Sequence, residues 1–241
     1  MSKLSCYFIT AIDTGVGKTI LTAGLAQALN ERGHHVGLMK PIIAGDSITA
    51  KNSDTQILSR SINHTIPSEL ITPIALKLPQ APFIAAKIAR QDISITKILS
   101  IYQVLKNRFN PLLVEGVGGL LVPIMKAGKK FYYVTDLVKA MKLPLIIVTH
   151  PYLGTINHTL LTIREARRSG IKIAGLVINH CQGKPRKGGK REARLLRETL
   201  QDEGRVKILG EVPYLGKRFN IDRVPLKPFT RILARLRNSY T

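Results

Sequence analysis

The sequence predicts a three-layer α/β fold, a mostly parallel central sheet flanked by helices, and three observations carry that prediction. Short apolar runs rich in β-branched residues recur along the chain, and segments with helical spacing separate them; this is the pattern of buried parallel strands joined by crossover helices. The first run passes straight into a Gly-rich stretch that ends Gly17-Lys18-Thr19 and opens a helical segment. The 241 residues are 44% hydrophobic and 22% charged with no polar low-complexity tract, which is enough to bury one large core. No internal repeat or linker divides them, so residues 1–241 read as a single domain.

In order, strands are predicted at 7–10, 35–39, 112–114, 145–149, 173–178 and 207–212, each short, apolar and β-branched. Helices are predicted at 19–31, 53–61, 95–107, 134–141, 156–168 and 191–203. The turn marked by Pro79 and Pro82 precedes another short helix, and 183–189, with Pro185 and basic residues in and just beyond it, reads as a mobile surface loop. Near the end of the chain Phe229, Ile232, Leu233 and Leu236 fall on one helical face, with Arg231, Arg235 and Arg237 around it. A terminal helix packed on the core is the commoner use of such a stripe, and an interfacial membrane anchor is the alternative. Ligands of such sheets gather at the carboxyl ends of strands, so residues just after each strand are the candidates for chemistry.

Lys and Arg number 37 against 15 Asp and Glu, a formal charge of +22, which alone would suggest a polyanion partner. The basic residues are spread along the chain, densest at 184–197 and 217–237, without interleaved aromatics or a nucleic-acid module. They read as a solvated surface that also favours an anionic nucleotide, with no nucleic-acid partner. Cys6 and Cys181 form neither a disulfide framework nor a zinc pattern, and suit a reduced cytoplasm. The apolar stretch 6–12 is too short to span a membrane and has no small-residue cleavage site, so it reads as a buried strand; a cytoplasmic protein without a membrane partner is the expectation.

The stretch from Thr10 to Thr19 has the composition and context of a P-loop, and makes the expected sheet a P-loop NTPase fold. Gly15 and Gly17 let the backbone wrap closely, amide hydrogens face the phosphates, Lys18 neutralises the β and γ groups, and the Thr19 hydroxyl can coordinate magnesium. Ala11 replaces the usual leading glycine, which is tolerable where that position needs no positive φ. Magnesium usually takes one or two carboxylates as well, and Asp54 and Glu115 are the best candidates. Glu115 follows a buried strand and opens Glu115-Gly116-Val117-Gly118-Gly119. Asp54, taken alone, reads more readily as a helix cap. Lys40 follows the second strand, where a salt bridge to a neighbouring acid and the stabilisation of a transferring phosphoryl group are equally good readings.

Together these pieces resemble the dethiobiotin synthetase family in motif order. The likeness runs from Phe8-Ile9-Thr10 and Asp13-Thr14 through Lys40-Pro41 with Gly45, Asn52-Ser53-Asp54 and Val114-Glu115-Gly116 with Gly118-Gly119. It continues in Leu153-Gly154 with Ile156-Asn157-His158, in Gly175, Val177 and Asn179, and in Gly210-Glu211-Val212-Pro213 with Leu215. The resemblance implies an ATP-dependent cyclo-ligase that uses Mg2+ and closes a cyclic urea from 7,8-diaminopelargonate and CO2. It implies that Lys18 and Lys40 stabilise the carbamate and the transferring phosphoryl, that Thr14 lies near the reacting atoms, and that Thr19, Asp54 and Glu115 surround the metal. Nucleotide contacts are implied for Gly15, Val16, Gly17, Lys18, Thr19, Ile20, Asp54, Glu115, Gly116, Val117 and Gly118, with Asn179 and His180 beside the base and Pro213, Tyr214 and Leu215 forming its pocket. Substrate contacts fall to Ala44 and to Gly154, Thr155, Ile156 and Asn157, the last four serving across a homodimer interface. As a helix start, 153–157 alone would read as simple capping.

Some positions depart from the family pattern. Ala44 stands where a substrate-contacting serine is usual, a hydroxyl whose loss costs on the order of 1 kcal/mol. Ala81-Pro82-Phe83 replaces Ser-Pro-His, Gly15 stands where some members carry Glu, and His180 where Asp is common. A rival resemblance is to partition and septum-site ATPases, but these carry a signature lysine five residues before the P-loop lysine, where this chain has Asp13. A nucleic-acid-binding module with a vestigial nucleotide site is the third alternative, marked by polyanion binding without ATP turnover.

Overall fold

The computed structural model describes residues 6–181, 189–216, 220–221 and 224–237. In chain order the strands are β1 (Tyr7–Ala11), β2 (Gly37–Met39), β3 (Ile42–Ala44), β4 (Ile74–Leu76), β5 (Leu112–Glu115), β6 (Pro123–Ala127), β7 (Lys130–Tyr133), β8 (Leu145–Thr149), β9 (Ile173–Asn179) and β10 (Ile208–Val212). The helices are α1 (Lys18–Asn30), α2 (Asp54–Arg60), α3 (Ser68–Ile71), α4 (Pro82–Ala89), α5 (Ile95–Arg108), α6 (Val134–Met141), α7 (Thr155–Arg168), α8 (Gly189–Gly204) and α9 (Lys227–Arg237).

The six predicted strands form one sheet in the order β10-β9-β8-β1-β5-β2, every neighbouring pair parallel. All residues of β1, β5 and β8 are buried, as their unbroken apolar runs require of a sheet covered on both faces. From β1 the sheet grows towards β5 and β2 on one side and towards β8, β9 and β10 on the other. The direction of growth therefore reverses at β1, and the crevice of such a switch point opens at its carboxyl end, where the Gly-rich loop begins.

The helix at the end of the chain packs on the core. Phe229, Ile232, Leu233 and Leu236 are all buried, which removes the apolar face that a membrane anchor would need. Phe229 lies so close to α1 that any side chain at Gly24 would overlap its ring. Among the described residues no helix is long and apolar enough to cross a membrane.

The differences from the sequence prediction are short elements. The β3–β4 pair is parallel, the β6–β7 pair antiparallel, and α3 is a single turn; three to five residues are too few to show a period. Strand β2 begins at Gly37 instead of 35, and α8 begins at Gly189, the last residue of the predicted loop; residues 183–188 of that loop lie outside the described residues.

Candidate active site

The loop between β1 and α1 is built for an anion. Gly15 and Gly17 hold φ of 74° and 89°, and Gly17 caps α1 without any side-chain hydrogen bond, so backbone amides are left to face a ligand. Ala11 is buried as the last residue of β1 and has no positive φ, so the missing glycine costs the loop nothing conformationally. Asn179, at the end of β9, donates through Nδ2 to the Val16 carbonyl (2.8 Å), and a side chain at Gly17 would overlap that amide. Lys18 is buried and donates to the Asp13 carbonyl at 3.2 Å. Burial, with nearby Lys40 adding to it, lowers its pKa to about 8.

Lys40, Asp54, Glu115 and Thr19 form one network beside the loop. The Lys40 Nζ lies 2.5 Å from Asp54 Oδ2 and 2.7 Å from Glu115 Oε1, and the Thr19 hydroxyl donates to that same Glu115 oxygen at 2.8 Å. Burial alone would lower the Lys40 pKa, but Glu115 and Asp54 outweigh it and hold the ammonium charged. Burial likewise opposes ionisation of Asp54, and Lys40, by charge and hydrogen bond, overrides it and keeps the carboxyl below its ordinary range. Ser53, whose side chain accepts from the Gln56 amide at 3.3 Å, caps α2. Capping, the reading favoured for Asp54 taken alone, is therefore corrected: Ser53 satisfies the helix end and frees the next carboxylate to face the loop.

The donor set suits magnesium. Thr19, Asp54 and Glu115 offer a hydroxyl and two carboxylates, and Glu115 Oε2 is buried without a hydrogen-bond partner among the described residues, an acceptor that a cation would satisfy.

A cavity of about 650 Å3 collects most of the predicted residues: Thr14, Gly15, Gly17, Lys18, Thr19, Ile20, Lys40, Ala44, Asp54, Glu115, Val117 and Gly118. The same cavity is also lined by Ile43, Ile57, Pro79, Gln80, Ala81, Pro82 and Val122, all but Gln80 apolar. Ile57 and Val122 were not anticipated from sequence, although Ile57 sits three residues after Asp54 on the same face of α2. Asn179 is buried behind the loop, and His180 Nε2 lies 3.1 Å from Glu211 Oε2; neither lines this cavity. Pro213, Tyr214 and Leu215 follow β10 on the same flank. Gly154, Thr155, Ile156 and Asn157 lie at the start of α7, also outside the cavity. No side chain caps that helix start; the Thr155 hydroxyl instead meets the Thr149 hydroxyl at 2.7 Å.

A phosphate loop with its buried lysine, a carboxylate at the end of β5 and a second at the start of α2, gathered at the carboxyl edge of a parallel sheet, define a P-loop nucleotide-dependent protein. The MinC:MinD cell division complex of Aquifex aeolicus has the same fold, with a TM-score of 0.62 over 97% of this chain and 96% of its own at 21% identity. A family model described as an AAA domain matches residues 5–219. Sequence likeness is closer elsewhere. The ATP-dependent dethiobiotin synthetase of Bacillus velezensis is 40% identical over 87% of this chain and 86% of its own length, and that of Thermodesulfovibrio yellowstonii 40% identical over 90% and 92%. The chain belongs to the ATP-dependent dethiobiotin synthetase family, and is thereby an ATP-dependent cyclo-ligase.

Proposed function

We propose that this chain, working as one unit over residues 1–241, closes the ureido ring of dethiobiotin from 7,8-diaminopelargonate (7,8-diaminononanoate), CO2 and ATP in biotin biosynthesis. The observation that carries the reading is Lys40 held between Asp54 and Glu115, next to the phosphate loop, in a cavity whose remaining lining is mostly apolar. One neutral amine attacks CO2 and loses a proton to give an N-carbamate. A carbamate oxygen attacks the γ-phosphorus, the bond to the bridging oxygen breaks, and ADP leaves with a carbamic-phosphoric mixed anhydride behind it. The neighbouring amine then attacks the carbonyl carbon, loses its proton, and expels phosphate.

Lys18 and Lys40 supply the positive charge on which the carbamate and the transferring phosphoryl are held, and the exposed Thr14 borders the reacting atoms from the loop tip. Magnesium, held by Thr19, Asp54 and Glu115, would supply further charge neutralisation on the triphosphate. Gly15 to Ile20 and Glu115 to Gly118 contact the phosphates, with Asn179, His180 and Pro213 to Leu215 around the base. Ala44 borders the substrate. Gly154 to Asn157, which do not line their own cavity, serve the cavity of a second copy in a homodimer; Leu153 and Ile156 there, with Leu121 and Leu161, are exposed apolar side chains that a partner would cover. The enzyme is placed in the cytoplasm, with neither nucleic acid nor membrane as a partner.

The test is phosphate release with ATP, magnesium and bicarbonate, with and without the diamine, alongside mass detection of dethiobiotin. Diamine-dependent product establishes the reading; diamine-independent hydrolysis stimulated by DNA or liposomes overturns it.

A further inference from the structure

In the ligand-free fold Lys40 stands where a counter-cation belongs. Its ammonium donates to Glu115 Oε1 at 2.7 Å and lies 2.5 Å from Asp54 Oδ2, and the Thr19 hydroxyl donates to the same Glu115 oxygen at 2.8 Å. The three residues whose donor set suits magnesium are thus joined through one ammonium and one hydroxyl hydrogen. Two carboxylates share a single positive charge there. The Glu115 side chain is fully buried and that of Asp54 is 38% exposed, so a second cation reaches the pair from the Asp54 side.

A dication brought in with a nucleotide supplies both of the charges that two carboxylates require. Glu115 Oε2 is still without a partner among the described residues, so ion and ammonium contend for charge as much as for oxygen. With the ion in place the ammonium is surplus, and its attraction to the acids is opposed by repulsion from their new counter-ion. Lys40 can respond without moving the fold. Its main-chain amide is fixed to the Ile71 carbonyl at 2.7 Å, while its side chain borders the 650 Å3 cavity on a flexible four-carbon stem.

We infer that Lys40 and magnesium are alternative counter-cations of Asp54 and Glu115: the lysine holds the two carboxylates together in the ligand-free fold, and when the metal enters with its nucleotide the ammonium exchanges them for an anion in the cavity. In the reaction proposed above that anion is the carbamate or the phosphoryl group passing to it, and only this destination rests on that reading. The exchange sets an order, because the acids retain Lys40 until the metal arrives and release it to substrate afterwards. It also fixes a sign: magnesium binds against Lys40, whereas a lysine that merely positioned the carboxylates would help it bind.

The experiment measures the ADP Kd with EDTA and with saturating magnesium, for wild type and for Lys40→Met, which keeps the length of the side chain and removes its charge. The ratio of the two constants is the gain in affinity that the metal gives. That gain is expected to rise at least about 10-fold in Lys40→Met, and an unchanged or smaller gain overturns the inference. The reciprocal effect is read on wild type, so that it does not depend on the variant folding: labelling of the Lys40 amine by an amine-reactive reagent, followed by peptide mass spectrometry, should be severalfold faster with ADP and magnesium than with ADP and EDTA. Labelling no faster with magnesium overturns the exchange even where the gain rises, since Lys40 then stays on the carboxylates. Failure of the wild type to make dethiobiotin would overturn the proposed reaction alone, because neither measurement uses the diamine.

Discussion

Lys40 carries two burdens, and substitution separates them. It is buried between Asp54 and Glu115, so Lys40→Ala leaves two carboxylates facing each other without a counter-charge. Turnover is expected to fall at least about 100-fold, because the group acts on charge that develops in the transition state. Magnesium-free protein is expected to lose about 3–5 kcal/mol of stability by denaturant titration, with saturating magnesium and ATP restoring part of it. Turnover equal to wild type would remove Lys40 from the mechanism. Lys18 gives a second residue-scale prediction. Its pKa of about 8 in the ligand-free fold lies below the 10.5 of an exposed lysine, so the unfolded chain binds more protons between those values. Its contribution to the ligand-free fold therefore becomes more favourable as pH rises through that window. Bound triphosphate favours the ammonium, so nucleotide binding above about pH 8 should take up a proton. Calorimetry in buffers of different ionisation enthalpy reads that uptake directly, and an absence of buffer dependence at about pH 9 would refute it.

At the scale of elements, the start of α2 and the docking of α9 are the joints on which the site depends. Ser53 accepts the Gln56 amide and thereby sets where α2 begins and where Asp54 points. Ser53→Ala is expected to cost about 1 kcal/mol of stability and to raise the magnesium concentration for half-maximal activity. A change in stability with no change in magnesium dependence would show that Asp54 is positioned by Lys40 alone. Helix α9 packs Phe229 against Gly24 of α1, the helix that carries Lys18 and Thr19 at its first turn. Phe229→Ala removes a fully buried ring, with an expected loss of about 3–5 kcal/mol, readable as a lowered Tm. Liposome cosedimentation of the full chain should stay at background, since the apolar stripe is already buried.

At the scale of the whole molecule, the exposed Leu153 and Ile156 lie at the helix start that the second copy is proposed to use. Leu153→Asp should shift the protein from dimer to monomer in light scattering and lower activity at least about 10-fold while leaving ATP binding intact. A fully active monomer would refute the shared site. The formal charge of +22 acts on the same scale: ATP association should slow with ionic strength, because the surface field is screened within about 8–10 Å at moderate salt.

What the sequence determined by itself was whatever is encoded over a few neighbouring residues. The six sheet strands, the main helices, the phosphate loop and the placing of Lys40 just after β2 and of Glu115 at the end of β5 all follow from apolar period and turn chemistry. The β3–β4 and β6–β7 pairs were not legible, because three to five residues show no period and their partners lie elsewhere in the chain or turn on a short hairpin. Asp54 was ambiguous for the same reason: capping is a local act that Ser53 and Asp54 could each perform, and only the approach of Lys40 shows which one is free. The tertiary structure alone decided the contacts between residues far apart, Lys40 with Glu115, Asn179 with Val16 and Phe229 with Gly24. The physical reason is that local sequence specifies backbone conformation and facing, whereas charge pairing and close packing depend on which faces the completed sheet brings together.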